Sequence, residues 1–255
     1  MRGAIGRAGG PRSVAAGRRA GATKDTTMIV QIYTAQSIDE ARAMADLGVD
    51  HIGLTPAHHD LPGEIDYETA AAIGAALNET KATVVALTVD RDLDAISEMA
   101  AAVRPEILHF CPPSGAIEPE LIAEFRRRFP EMAVMYAVSV AGPEALDEAR
   151  RFEAVSDWFI LDTQAPGIPG VGASGAVHDW SVSRRIVQEA EIPVILAGGL
   201  SPDNVSEAVR TVRPAGVDSL THTNRDLGGG RFEKDLELVG AFASAARSEA
   251  ERLGL

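Results

Sequence analysis

From Met28 onward, short runs of β-branched and aliphatic residues alternate with Ala-rich segments whose apolar residues recur at spacings of three and four. This alternation constrains the fold more than any other feature of the chain. Strands are expected at 29–34, 51–54, 83–88, 107–110, 133–138, 158–161, 194–196 and 216–218. Helices are expected at 38–47, 67–77, 93–103, 119–129, 143–152, 180–189, 203–212 and 234–253. Ala41, Met44, Ala45 and Leu47 show the helical spacing. Strict alternation of eight strands and eight helices predicts a parallel sheet with right-handed crossovers. Eight units in a stretch of this length fit a single (β/α)8 TIM barrel of the α/β class. An open doubly wound sheet is the alternative. It wants a glycine-rich turn after the first strand, and Thr34-Ala35-Gln36 is not one.

Composition narrows the partners. The 255-residue chain has a net charge of −13, so nucleic acid and anionic membranes are poor partners and any anion site must be local. Residues 1–27 differ from the rest: six basic side chains, one acid and no apolar periodicity. They read as a disordered extension or an over-extended start, with Met28 the natural first residue and 28–255 the barrel. The single cysteine, Cys111, excludes an intramolecular disulfide and a Cys-rich zinc site. No apolar run reaches the roughly 18 residues of a membrane span. A cytoplasmic setting, as monomer or homodimer and without a membrane, is expected.

In a barrel the active site lies at the C-terminal ends of the strands. One stretch there carries a specific chemistry. Pro193-Val-Ile-Leu-Ala-Gly-Gly-Leu-Ser-Pro-Asp-Asn204 reads as a buried strand, a glycine turn and a helix opened by Ser201, Pro202 and Asp203. Bare backbone at Gly198 and Gly199 beside a helix N-terminus makes a cradle for an anion, with phosphate the expected guest. Asp162 ends an apolar strand at the same rim, where burial raises a carboxyl pKa and makes it an acid. The loop behind it is glycine-rich, and its Ser174 and Gly175 are placed to help wrap a phosphate. Strand parity turns His109 and Cys111 inward on the fourth strand. His109 has the intrinsic pKa of a base near neutrality. Asp90, at the end of the third strand, is either a proton acceptor or the cap of the next helix. His58-His59-Asp60 lacks a third ligand at metal spacing and is read as hydrogen-bonding to a polar substrate. Acidic runs such as Glu144 to Glu148 are read as solvated helix faces.

The C-terminal half resembles the phosphoribosylanthranilate isomerase family of tryptophan biosynthesis. The matching pieces are Phe159-Ile-Leu-Asp162, Ala173-Ser-Gly-Ala-Val-His-Asp-Trp180, Ile195-Leu-Ala-Gly-Gly-Leu-Ser-Pro-Asp-Asn204, Gly216-Val-Asp218 and Lys234-Asp235, in the family's order and spacing. The resemblance implies an Amadori rearrangement of an aldose amine to an aminoketose, with no cofactor or metal. A general acid protonates the furanose oxygen and a general base takes the C2 proton. Asp162 falls on the acid. Gly175, Gly198, Gly199 and the backbone near Thr221 fall on the phosphate cradle, and His222 stands beside it in place of a glycine.

Three departures follow. The family's base is the Cys of a Lys-Ile-Cys-Gly motif, and here that stretch reads Gln31-Ile-Tyr33-Thr34. An ordinary Tyr has a pKa near 10 against about 8.5 for Cys, which makes Tyr33 a poor base. The family's Arg for the anthranilate carboxylate falls in Asp60-Leu-Pro-Gly-Glu64, which has no cation. Where the family has a Gln and a His on the fourth strand, this chain has His109 and Cys111. The expectation is therefore an isomerase of a phosphorylated sugar or aminosugar other than the anthranilate compound. The alternatives are the biosynthetic isomerase with a substituted base, or a non-catalytic phosphate-binding barrel.

Overall fold

The computed structural model describes residues 28–163 and 179–255. Eight parallel strands form a closed barrel: β1 (Ile29–Ile32), β2 (His51–Leu54), β3 (Thr83–Thr88), β4 (Ile107–Phe110), β5 (Ala133–Ser139), β6 (Trp158–Asp162), β7 (Val194–Leu196) and β8 (Gly216–Ser219). Around them lie α1 (Ile38–Asp46), α2 (Tyr67–Leu77), α3 (Leu93–Val103), α4 (Pro119–Arg128), α5 (Ala145–Phe152), α6 (Trp180–Glu189), α7 (Val205–Val212) and α8 (Leu236–Leu253). The (β/α)8 reading holds. Extended Asp and Ser residues start several helices: Ser37, Asp66, Asp92, Asp179 and Asp235 each accept a backbone N–H of the first turn.

Four boundaries differ by two residues. Strand β1 ends at Ile32 rather than Thr34. Helix α5 begins at Ala145 rather than Pro143, and α8 begins at Leu236 because Lys234 belongs to a strand. Helix α7 begins at Val205, not Asp203, and none of Ser201, Pro202 and Asp203 caps it. An antiparallel hairpin between β8 and α8 was not expected: β9 (Asn224–Gly228) and β10 (Arg231–Lys234), turned through Gly228, Gly229 and Gly230, all at positive φ.

The core has two parts. A large outer one fills the space between strands and helices, and a smaller inner one fills the barrel. The parallel register steps round the cylinder so that alternate strands share a level. Gln31, Val85, Met135 and Ile195 form one inward level. Gly53, His109, Ile160 and Asp218 form the next. Tyr33, Leu87, Ala137 and Ala197 lie above them, and Thr55, Cys111, Asp162 and Leu220 line the mouth. Gly53 is required here: a Cβ would sit 2.3 Å from the Tyr33 ring.

Candidate active site

The C-terminal ends of β6, β7 and β8 build one wall. Asp162 points inward, half-buried, at the end of β6, and its Oδ1 accepts the N–H of Thr163 at 2.6 Å. Burial pushes its carboxyl up to about 7, against the backbone hydrogen bond that lowers it. The adjacent strand β7 pairs Leu196 with Leu161 and then runs into Gly198 and Gly199, at φ +87° and +63°. That conformation needs glycine. Asn204 holds the turn, accepting from the N–H of Ser201 at 2.8 Å and donating to the carbonyl of Gly199 at 2.9 Å. Ser219 Oγ donates to the carbonyl of Leu200 at 2.8 Å and ties the turn to β8. A single 3₁₀ turn, Thr221–Thr223, follows β8 and leaves Thr221 and His222 exposed at the rim. Ser174 and Gly175 lie outside the described residues.

The opposite wall, from β1 to β4, is built differently. Tyr33 Oη lies 2.9 Å from Nδ1 of His109, and both side chains are buried. Burial, with Asp218 and Cys111 nearby, pushes the Tyr33 phenol well above its ordinary range. Burial also lowers His109 to about 3, so the ring is neutral, Nδ1 accepts the phenolic proton, and Nε2 has no partner. His109 sits a level below Tyr33 rather than at the mouth. These facts weigh against both residues as proton abstractors near neutrality. Asp90 does not cap a helix. Asp92 caps α3, while Asp90 pairs with His59 Nε2 at 3.0 Å. Cys111 is buried at the inner mouth and is not in a disulfide.

The loop from Thr55 to Asp66 folds over this wall. Ile65 donates to the carbonyl of Thr55 at 3.1 Å, and Ala57 and Leu61 pack on the inner core. The Glu64 carboxylate accepts the N–H groups of His59 and Leu61, both at 2.9 Å, so it stabilises the loop itself. His58 packs on Tyr67 while His59 turns to Asp90, so the two histidines diverge. Among the described residues no group of three or more His, Cys, Asp or Glu is placed to hold a metal ion. Glu148 is not simply a solvated face residue. It is half-buried and accepts the Tyr136 hydroxyl at 2.9 Å.

Sequence reasoning missed a polar column beneath the site. His51 Nδ1 meets Gln31 Oε1 at 3.1 Å, and Gln31 Nε2 donates to Asp218 Oδ1 at 3.1 Å. Burial lowers His51 to about 4, so it donates as a neutral ring. Burial raises Asp218 to about 8, with Asp162 adding to the rise and Gln31 and Lys234 opposing it. Lys234 is buried and directs its ammonium at the carbonyls of Tyr33 and Leu220 and at Asn224 Oδ1. Burial brings it down to about 7. The available signal was parity: Gln31 and Asp218 are polar residues at inward positions of otherwise apolar strands.

Residues 30–242 match the family described as N-(5'phosphoribosyl)anthranilate (PRA) isomerase. The chain belongs to the PRA isomerase family. It is 35% identical over 223 residues to N-(5'-phosphoribosyl)anthranilate isomerase 2 of Methanosarcina mazei, covering 87% of this chain and 95% of that protein. It is 35% identical over 214 residues to the PRA isomerase of Rhodopseudomonas palustris strain BisA53, covering 82% and 90%. Its fold is similar to the phosphoribosyl anthranilate isomerase of Thermotoga maritima, with a TM-score of 0.70 at 24% identity, covering 87% and 99% of the two chains. The protein of the same name from Thermococcus kodakaraensis superposes with a TM-score of 0.67 at 26% identity, covering 86% and 99%. The expectation of a different aglycone gains no support from these relatives, all of which carry the PRA isomerase name. Family membership makes the chain an aldose–ketose isomerase of the Amadori type. Among the described residues no helix is long and apolar enough to cross a membrane.

Proposed function

We propose that this protein is a phosphoribosylanthranilate isomerase with a substituted base, working in tryptophan biosynthesis on a phosphorylated glycosylamine. The observation that carries this reading is Asp162, inward-facing at the mouth, raised to about 7 by burial, one strand from the Gly198-Gly199 turn. The substrate phosphate lies on the amides of Gly198 and Gly199 and of the turn at Thr221, with His222 beside it. Asp162 donates its proton to the furanose oxygen. The C1–O bond breaks and the nitrogen lone pair forms a C1=N bond. A base then removes the C2 proton, the electron pair moves into C1–C2, and the C1=N pair returns to nitrogen. The resulting enol loses its hydroxyl proton as C1 gains one, giving the ketone. No oxidant or cofactor enters this balance.

Ala57, Leu61 and Val89 offer an apolar wall for the anthranilate ring, and Glu64 is occupied by backbone amides. One observation favours a second reading, an aglycone without a carboxylate: Asp60, Gly63 and Glu64 stand where the family has its Arg, and His59 is held by Asp90. Turnover of phosphoribosylanthranilate by the purified protein, and rescue of a tryptophan auxotroph, would support the first reading. Phosphate-dependent binding with no turnover would overturn it.

A further inference from the structure

The β9–β10 hairpin joins β8 to α8 at the rim of the barrel, and its two faces differ. Residues paired across an antiparallel ladder share a face, as do residues two apart on one strand. Arg225 and Glu233 are register partners and form an ion pair on one face. Phe232 and Lys234, with their partners Asp226 and Asn224, lie on the other. That second face is turned to the barrel: Lys234 is buried and reaches the carbonyls of Tyr33 and Leu220. The turn between β1 and α1 pins the hairpin there. Gln36 Nε2 donates to the Phe232 carbonyl at 2.9 Å. The Glu40 carboxylate accepts the N–H of Gln36 at 2.7 Å and that of Lys234 at 2.6 Å.

So placed, the half-buried Phe232 ring meets the loop that runs from Thr55 to Asp66. Gly63 of that loop, at φ +69°, lies against the ring and the Thr34 methyl group, and a Cβ there would sit 2.8 Å from Phe232 Cζ. Lys234 Nζ lies 5.7 Å from the centroid of the same ring. The inner end of the loop is fastened at Thr55, whose hydroxyl donates to Thr34 Oγ1 at 3.2 Å. Glu64 and Ile65 close the loop on itself. Its ion pair with β3, His59 to Asp90, is partly exposed on both sides, and such pairs are weak fastenings. Packing at Gly63 thus fixes the outer end of the loop, and with it Ala57 and Leu61 of the apolar wall. We propose that Phe232 is a positioning residue for the aglycone: the hairpin clamps the loop at Gly63 and so sets the affinity of the site for the amine half of the substrate. This deepens the isomerase reading above and rests on it. The turn after β7 is held separately, by Asn204 and Ser219, so the clamp acts on one half of the substrate.

The test is steady-state turnover of phosphoribosylanthranilate by the wild-type protein, Phe232→Ala, Phe232→Leu and Leu227→Ser. Ribose 5-phosphate, which has the sugar phosphate and no amine, serves as the competing ligand. Phe232→Ala should raise KM about tenfold or more with kcat within about threefold, while Ki for ribose 5-phosphate stays within about twofold. A merely structural Phe232 would lower the melting temperature without splitting KM from Ki. Phe232→Leu, which refills most of the contact, should bring KM back to within about threefold of wild type. Leu227→Ser, on the same hairpin but at a side chain 46% exposed, should match wild type in all three constants. Amide hydrogen exchange without substrate should quicken about tenfold or more at residues 57–65 of Phe232→Ala and stay unchanged at 197–204. Should Phe232→Ala fail to fold, Phe232→Val takes its place with the same expected split. An active wild type beside a Phe232→Ala variant whose KM stays within threefold, or whose KM and Ki rise together, overturns the inference and leaves the isomerase reading standing. Unchanged exchange in the loop does the same. A wild type that does not turn over phosphoribosylanthranilate overturns both.

Discussion

At the scale of single residues, the site separates groups that titrate near neutrality from groups that do not. Asp162 and Asp218 are both raised into the working range by burial, whereas burial removes His109 and Tyr33 from it. Asp162→Asn should therefore cost roughly 10²- to 10⁴-fold in kcat with little change in melting temperature. A drop under about tenfold in the same assay would refute its role as acid. Tyr33→Phe is expected to behave in the opposite way. It strips His109 Nδ1 of its donor and should cost roughly 1–3 kcal/mol of stability in urea unfolding, with kcat within about fivefold. Asp162 was legible in the sequence because it ends an apolar strand. Asp218 was not: its hydrogen-bond partner Gln31 is distant in sequence, and only barrel closure makes them neighbours.

At the scale of elements, the turn after β7 is held by side chains rather than by the helix that follows it. Asn204 carries two hydrogen bonds to that turn and none to the first turn of α7. Asn204→Ala should raise KM for the phosphorylated substrate about tenfold or more, with kcat little changed, because the amides of Gly198 and Gly199 lose their aim. Equal effects on kcat and KM would point instead to a general collapse of the mouth. Most strand and helix limits were readable, since β-branched runs and Ala-rich stripes report burial directly. The β9–β10 hairpin was not, because Asn224–Gly228 is mostly exposed and neither strand carries an apolar alternation. Its glycine triplet was the only clue. The start of α7 was misread for a related reason: Ser201, Pro202 and Asp203 look like a cap, but Asn204 takes the Ser201 N–H.

For the whole molecule, the buried ionisable groups set a pH dependence of stability with two opposing arms. Asp162 and Asp218 have folded values raised to about 7 and 8, so the native state holds protons the unfolded chain has lost. Their contribution is complete below pH 4 and is lost as pH rises to about 8. Lys234 is lowered to about 7, so its contribution is lost as pH falls from about 10 toward 7. Melting temperature should thus dip near pH 7–8. Asp218→Asn should flatten the descending arm and melt no lower than wild type above pH 8. A steeper descent in that variant would show that the buried carboxylate stabilises the fold.

The proposed phosphate turn and acid stand at the ends of β6, β7 and β8, while the loop proposed to meet the aglycone stands between β2 and α2, across the lumen. Two halves of one cylinder thus hold two separable tasks: fastening the sugar, and choosing what hangs from it. Grafting residues 55–66 of a relative that bears the arginine onto this scaffold should change which amine is accepted while the ribose chemistry stays as it is.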